Sequence, residues 1–329
     1  MASRPLLRAT ALLTATMMLA GCVTTQAGRI GSDDGRDVCR QYLVALDSTG
    51  DYYGEDILQG AAVGALGGAV VGGLASRSWQ GALIGAAVGG ATGAAVGYYA
   101  ALQRQARDQA GIFAQMSSDL SRENAQLDRT QVAFDQLSDC RLRTAQTVRD
   151  AVKDGRLARD VGQAQLAEIR ARFQGDIQVA QRINQNITGR GAQFDSAFDN
   201  AIPGGKASVV ASYRRPQPVR VAPRRAVVVK YRPDAGSADV AQINAREVVT
   251  TRPGPAGFVQ VETASGVRGY APADAFPAAR GRQQAASPEG GSDVRSLAAT
   301  NISRRDNFSE SIGNAERLAA AGGGFELAG

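Results

Sequence analysis

Apolar residues recur at helical spacing through the middle of the chain. One series repeats every seven residues, which is the spacing of a coiled-coil seam: Phe113, Leu120, Leu127 and Phe134. A second series runs from Leu166 to Ile187. Because Asp154-Gly155 interrupts the pattern between them, we predict two helical arms over residues 101–202, folded back on each other as an antiparallel hairpin. An earlier short amphipathic helix is predicted from Asp34 to Leu46, with Val38, Tyr42 and Leu43 on one side.

The pattern changes towards the C-terminus. Residues 226–277 contain short runs rich in β-branched and aromatic residues, separated by Pro and Gly, which is typical of strands. The remaining residues, 278–329, are rich in Gly, Ala and Ser and are predicted to be mostly disordered, apart from a helix at Asp306–Ala320. The predicted fold class is therefore mainly α, with a small β-domain near the C-terminus.

Between these regions lies a glycine-rich stretch without charge. Charged residues are absent from Ile57 to Ala75 and from Ser78 to Leu102, lengths of about 28 and 37 Å as helix. Glycines recur there every fourth residue within each half: Gly60, Gly64, Gly68 and Gly72, then Gly81, Gly85, Gly89, Gly93 and Gly97. Residues four apart share a helix face, where a second backbone can approach closely. We predict a transmembrane helical hairpin over residues 55–100, with both ends on one side; a flexible linker and a soluble hairpin buried in an oligomer are the alternatives.

Aromatic residues flank both ends of this stretch. Tyr52 and Tyr53 precede it and Tyr98 and Tyr99 close it, so we predict that they lie at the membrane–water interface. The stretch resembles the glycine-zipper two-transmembrane domain of small outer-membrane lipoproteins such as the SlyB and rickettsial surface-antigen group. The resemblance implies embedding in the outer membrane and self-association.

The N-terminus has the features of an export signal. Basic Arg4 and Arg8 precede an apolar run that is too short to span a bilayer permanently. The run ends in Leu19-Ala20-Gly21-Cys22, which resembles a lipobox. The resemblance implies removal of residues 1–21 and acylation of Cys22, and Val23 rather than Asp after it favours the outer membrane, with the soluble parts in the periplasm. An ordinary signal peptide or a buried N-terminal helix is the alternative.

The other two cysteines form a candidate pair. With Cys22 lipidated in an oxidising compartment, Cys39 and Cys140 remain, and we hypothesise a disulfide between them, within one chain or between two. A straight arm would place Cys140 about 60 Å from the membrane. Pairing within one chain therefore requires a bend, which we place near Gly111.

The composition argues against catalysis. The chain has no histidine among 329 residues, which removes the commonest general base and metal ligand. It also lacks a Walker loop, a dinucleotide-binding fingerprint and a Cys-x-x-Cys motif. We therefore predict no enzyme activity, no cofactor and no metal site.

A basic, Pro-rich linker is predicted over residues 203–225, where the positions that could contact an anionic partner are Arg214, Arg215, Arg220, Arg224 and Arg225. From Lys206 to Arg282 there are 13 basic and five acidic residues. Peptidoglycan, lipopolysaccharide phosphates or an acidic protein could meet such a surface, whereas nucleic acid is improbable for an exported chain. A solvated linker without a partner is the alternative.

The β-domain resembles a bacterial SH3-like domain. Gly257-Phe258-Val259-Gln260-Val261, followed by Gly266-Val267-Arg268-Gly269-Tyr270, is similar to the last hairpin of that family. The start, Val229-Lys230-Tyr231-Arg232-Pro233, departs from the family pattern. The resemblance implies a small barrel that binds cell wall or protein.

These features predict a structural outer-membrane lipoprotein. Its lipidated segment, residues 22–54, and its hairpin would hold it in the membrane, where it would self-associate. Its arms and β-domain would contact peptidoglycan or an envelope complex. A channel or secretion-type complex component and a regulator of cell-wall enzymes are the alternatives.

Overall fold

The computed structural model describes residues 26–54, 98–104, 106, 108–212, 217–276, 293–320 and 324–327. The helices are α1 (Gln26–Ile30), α2 (Arg40–Gly54), α3 (Gln109–Lys153), α4 (Arg159–Ala201), α5 (Gly205–Ser212) and α6 (Val294–Ala320). Residues 98–104 are also helical. The strands are β1 (Val219–Val221), β2 (Val227–Lys230), β3 (Asp239–Ile243), β4 (Val249–Pro253), β5 (Phe258–Glu262) and β6 (Arg268–Pro272), followed by a 3-10 turn at Ala273–Ala275. The chain is mainly helical, with one small antiparallel sheet.

The two longest helices, α3 and α4, form an antiparallel hairpin. Their turn contains Gly155 with a φ of 70°, a backbone conformation that glycine adopts readily. The α3 helix begins where Asp108 accepts a hydrogen bond from the Gly111 backbone N–H at 2.8 Å. The α4 helix ends at Ala201, just before Pro203. The repeat of apolar residues therefore predicts the arms, and its interruption at Gly155 predicts their turn.

Helices α2 and α6 pack on this hairpin from opposite sides, and each contacts both α3 and α4. Phe134 of α3 and Phe308 of α6 are fully buried and meet edge to face at 5.8 Å. On the other side, Leu43 and Leu46 of α2 enter the same core. The result is a four-helix core in which α3 and α4 form the central pair.

Helix α6 corrects the prediction of a mostly disordered tail. It begins at Val294 rather than Asp306, because Asp293 caps it by accepting from the Ser296 hydroxyl and backbone N–H. These bonds lower the pKa of the Asp293 carboxyl. Ile312 and Leu318 are buried against the hairpin, so tertiary packing stabilises a sequence whose own helical preference is modest.

Helix α2 is also shifted from its predicted position. It begins at Arg40 and extends to Gly54, whereas the sequence predicted Asp34–Leu46. Asp37 accepts a hydrogen bond from the Cys39 backbone N–H at 3.0 Å in the turn before the helix. Val38, predicted on the buried side, is 69% exposed because it lies in this turn.

The β-unit is a six-stranded antiparallel sheet with strand order β1-β4-β5-β6-β2-β3. It begins at Val219, so the predicted extended linker of residues 203–225 is wrong in part: α5 and β1 lie within it. The close approach of β6 to β2 requires Gly269, because a Cβ there would lie 2.5 Å from the Lys230 carbonyl oxygen. The antiparallel sheet is shown; closure into an SH3-like barrel remains a prediction.

The sheet docks on the helices and does not project as a separate module. Asp139 of α3 accepts from the Ser237 hydroxyl at 2.7 Å and from the Ala238 backbone N–H at 2.8 Å, both in buried positions. On α6, Asn314 exchanges two hydrogen bonds with the backbone of Arg268. The helices and the sheet therefore form one packed body.

Candidate functional site

The two segments that flank the glycine-rich stretch lie in one groove between α3 and α4. The Tyr52 hydroxyl, near the end of α2, donates to Glu123 at 3.1 Å. The Tyr98 hydroxyl, at the start of the next described segment, donates to Asp119 at 2.8 Å. Because Asp119 and Glu123 are one helical turn apart on α3, the two contacts are about 6 Å apart along its axis. We call this place the junction.

Helix α4 forms the other wall of the junction with the same spacing. Arg190 pairs with Glu123 at 2.9 Å, and its guanidinium lies 4.8 Å from the centre of the Tyr52 ring. One turn later, the ring of Phe194 meets Tyr98 edge to face at 5.2 Å. The same pair of helices thus holds both flanks.

Burial makes the junction electrostatically specific. Glu123 is only 2% exposed and Arg190 15%, so removing either partner would leave an uncompensated charge. Burial, and then the Glu123 charge, raise the pKa of Tyr52. Burial raises the pKa of Tyr53 and of Tyr98 as well. The tyrosines are therefore neutral at physiological pH, and the Tyr52 and Tyr98 hydroxyls act as donors to the two carboxylates.

For Tyr53 and Tyr98, this arrangement corrects the prediction that the flanking tyrosines lie at a membrane–water interface. Tyr53 is fully buried and Tyr98 is 4% exposed, both within the protein core. Their amphipathic rings serve the helix contacts instead, with apolar bodies packed and hydroxyls near polar groups. Beside them opens a cleft of about 180 Å³, lined by Tyr52, Tyr98, Asp119, Arg122, Arg190, Gln193 and Phe194.

The N-terminal helix α1 leads back towards the junction. The Arg40 guanidinium donates to the carbonyl of Ile30 at 2.7 Å. Arg29 pairs with Asp47 and Asp51, both at 2.8 Å. The chain before Ile30 therefore runs antiparallel to α2, and Gln26 lies towards the α2 end. Cys22 lies outside the described residues, but four residues can span at most about 14 Å from Gln26.

The structure joins Cys39 and Cys140 of one chain in a disulfide, with their Cα atoms 5.9 Å apart. The bend that we predicted near Gly111 is present, because the helix of residues 98–104 runs antiparallel to the start of α3. This bend brings the second flank, residues 98–104, alongside α3, where the disulfide and its own contacts already hold α2. The disulfide therefore closes a covalent loop that contains the whole stretch.

A buried ion cluster adjoins the disulfide. The Arg141 guanidinium lies between Asp176, 2.6 Å from its Nε, and Asp37, 2.8 Å from its Nη2. Burial opposes ionisation of Asp37, but the Arg141 hydrogen bonds and charge outweigh it and lower the pKa of the carboxyl. Arg141 and the disulfide together hold the start of α2 against α3 and α4.

The structure separates the predicted basic residues. Arg220, Arg224 and Arg225 are exposed on and after β1, whereas Arg214 and Arg215 lie outside the described residues. Sequence reasoning missed Arg246, which is exposed with a φ of 67° and whose backbone N–H donates to the Pro223 carbonyl at 2.9 Å. This bond places it beside Arg224 and Arg225. No sequence signal identifies Arg246, because only the β1–β4 pairing brings the two turns together.

We call Arg220, Arg224, Arg225 and Arg246 the basic corner. In the part of the chain that the structure describes, none of the four makes an ion pair, whereas arginines such as Arg141, Arg268 and Arg305 do. Among all the residues that the structure describes, no group of three or more acidic or cysteine side chains could hold a metal ion. The basic corner is thus a group of exposed arginines that have no ion-pair partner among the described residues.

The glycine positions of the predicted hairpin, from Gly60 to Gly97, lie outside the described residues. Across the ranges that are described, no helix has the length and apolar character needed to cross a bilayer. The polar, buried junction is therefore the described part of this candidate site, and the hairpin itself remains a prediction.

Comparison with known proteins identifies the same region. Residues 41–101 match the model of the YMGG-like Gly-zipper family, which is found in bacterial outer-membrane lipoproteins. No curated protein and no solved structure matches the chain. The match begins in α2, covers the glycine-rich stretch and ends just after Tyr98, so this part of the chain is similar to a YMGG-like Gly-zipper.

Proposed function

We propose that this protein is a structural lipoprotein of the outer membrane. Its glycine zipper enters the membrane as a helical hairpin and self-associates, and its helical body and sheet stay in the periplasm and contact the cell wall or an envelope complex. The observation that carries the proposal is the junction. The two described flanks, ending at Gly54 and beginning at Tyr98, lie in the same groove one helical turn apart, as a hairpin with both ends on one side of a membrane requires.

Two further features support a membrane anchor at this place. The zipper glycines repeat every four residues in two uncharged halves, each long enough to span about 30 Å of hydrocarbon. The lipobox-like Cys22 lies four residues before α1, which runs back along α2 towards the junction. A lipid on Cys22 would therefore enter the bilayer close to the zipper, giving two anchors at one site.

The hairpin component is tested by removing the lipid. A chain exported through a cleavable signal peptide without a lipobox would begin at Val23 and carry no lipid. We expect it to stay in the membrane pellet after an alkaline carbonate wash, because two uncharged zipper helices remain inserted. The matched control also lacks the lipid and has a short Gly-Ser linker in place of residues 55–97, which the adjacent flanks allow without strain. This control should be released from the membrane pellet. Release of the lipid-free chain that keeps its zipper would contradict the proposal.

The basic corner supplies the contact with an anionic envelope component. Four exposed guanidiniums without acidic partners suit carboxylate- or phosphate-bearing polymers. Replacing Arg220, Arg224, Arg225 and Arg246 by Gln should weaken binding of the full chain to purified peptidoglycan by about 1–4 kcal/mol in total, as expected for four exposed charge contacts. Binding of the unmodified chain should also fall as salt is raised.

Four exposed arginines elsewhere provide the matched control for this pull-down: Arg36, Arg104, Arg129 and Arg295. Replacing them by Gln changes the net charge equally. Equal losses in the two variants would show that net charge, and not the basic corner, governs the contact.

A further inference from the structure

The flanks of the zipper occupy successive positions in one groove. Helix α2 descends along α3 from Cys140 to Glu123. The helix of residues 98–104 takes up the same path at Asp119 and continues towards Ile112. Neither flank can be extended straight along the groove without overlapping the other. The place where the two flanks meet, which we call the exit, lies on the side of the body formed by α1 and α2.

The exit lies partway along the body and not at its end. From Glu123, α3 continues about 45 Å to Lys153; from Asp119 it continues about 15 Å the other way to Gln109. The end of α4, α5 and the start of α6 surround this shorter section. Protein therefore extends in both directions from the place where the zipper begins.

The surface of the shorter section is mostly polar, although Val210 of α5 is half exposed there. Gln109, Ser118 and Asn200 are exposed there, and Lys206 pairs with Asp195 at 2.7 Å. Gly97, the last zipper glycine, immediately precedes Tyr98, so no spacer separates the zipper from the groove. If the body stood upright on the membrane, this section would enter the hydrocarbon, where unsatisfied polar and charged groups are strongly disfavoured.

We infer that the body lies on its side, with its long axis along the membrane surface, the α2 flank against the lipid headgroups and α6 on the face turned away. This inference rests on the proposed membrane hairpin and adds the surface through which the periplasmic body meets lipid. The exposed residues of α2 are compatible with a headgroup layer, since they include Gln41, Ser48 and Asp51 and no large apolar side chain. The zipper then crosses the bilayer at a steep angle to the helices of the body.

Four single-cysteine labels distinguish the orientations in the full chain, reconstituted in a lipid nanodisc with headgroup-labelled acceptor. In each variant the introduced cysteine is the free thiol, because Cys22 carries lipid and Cys39 is bonded to Cys140. The positions are exposed on α2, at two places along α3, and on α6: Ser48→Cys, Ser118→Cys, Lys153→Cys and Ser309→Cys.

Energy transfer should be strongest from position 48, similar from positions 118 and 153, and weakest from position 309. An upright body would place position 153 about 50 Å farther from the bilayer than position 118, along 35 residues of α3, and this result would overturn the inference. Stronger transfer from position 309 than from position 48 would overturn it as well. Release of the lipid-free chain that keeps its zipper, in the carbonate wash described above, would instead contradict the membrane hairpin on which the inference rests.

Discussion

Replacing both Cys39 and Cys140 by Ser is expected to lower the free energy of unfolding by about 4–5 kcal/mol, on the order of a thousandfold in the folding equilibrium. The two cysteines are 101 residues apart in sequence, and closing a loop of that length removes much conformational freedom from the unfolded chain. Urea unfolding of the full chain in detergent, followed by circular dichroism, measures the loss.

The reduced wild-type chain provides the control for this variant. Reduction breaks the same bond without changing a side chain elsewhere, so both samples should unfold at the same urea concentration. The buried Arg141 pairs with Asp37 and Asp176 remain in both, so the start of α2 should still fold against the hairpin. An unfolding midpoint equal to that of the oxidised wild type would show that the disulfide contributes nothing.

Replacing Gly64, Gly68, Gly85 and Gly89 by Leu is expected to abolish self-association. These positions lie four apart on one face of each predicted zipper helix. Without side chains they let two backbones approach closely, and dispersion contacts along that approach supply the attraction between helices in lipid. Four leucine side chains would hold the backbones apart. Membrane insertion should persist, because leucine is more apolar than glycine.

The matched control places the same four leucines on the opposite face, at Ala62, Ala87, Ala91 and Ala95. Each lies two residues from a zipper glycine, about 200° around the helix. This variant should associate as the wild type does. Equal disruption by both sets would indicate that added bulk, and not the glycine face, governs association.

The sequence predicts those elements that a local repeat of apolar residues marks. The α3–α4 hairpin follows from the seven-residue seam and from the break at Gly155, because both signals are local. Helix α6 was underestimated, since its first turns contain few large apolar residues and are held by contacts such as the Asn124 amide on the Leu297 carbonyl. Such a contact joins residues 173 apart and leaves no local pattern.

The junction could be predicted only in part. The four-residue glycine repeat and the flanking tyrosines indicate that the zipper segment begins near Tyr52 and ends near Tyr98. Their burial depends on Arg190 and Glu123, which belong to helices far away in sequence. From a single sequence, a tyrosine next to an uncharged helix can be assigned equally well to the membrane–water interface or to the protein core, because its ring suits both environments.

The sheet, too, could be predicted from the sequence only in part. Its alternating buried valines, such as Val259 and Val261, predict strands correctly. Strand β1 has only three residues in a Pro-rich surrounding and forms by pairing with β4. The docking of the sheet through Asp139, and the approach of Arg246 to Arg224, are products of that tertiary arrangement.

Self-association through the zipper is tested by the subunit count of the protein in patches of its own membrane, excised with an amphipathic polymer and weighed by single-particle mass photometry. We expect more than one chain per patch for the wild type and for the opposite-face leucine variant. We expect one chain per patch for the variant with leucine at Gly64, Gly68, Gly85 and Gly89. One chain per patch for the wild type, or the same higher count in all three, would contradict self-association through the glycine zipper.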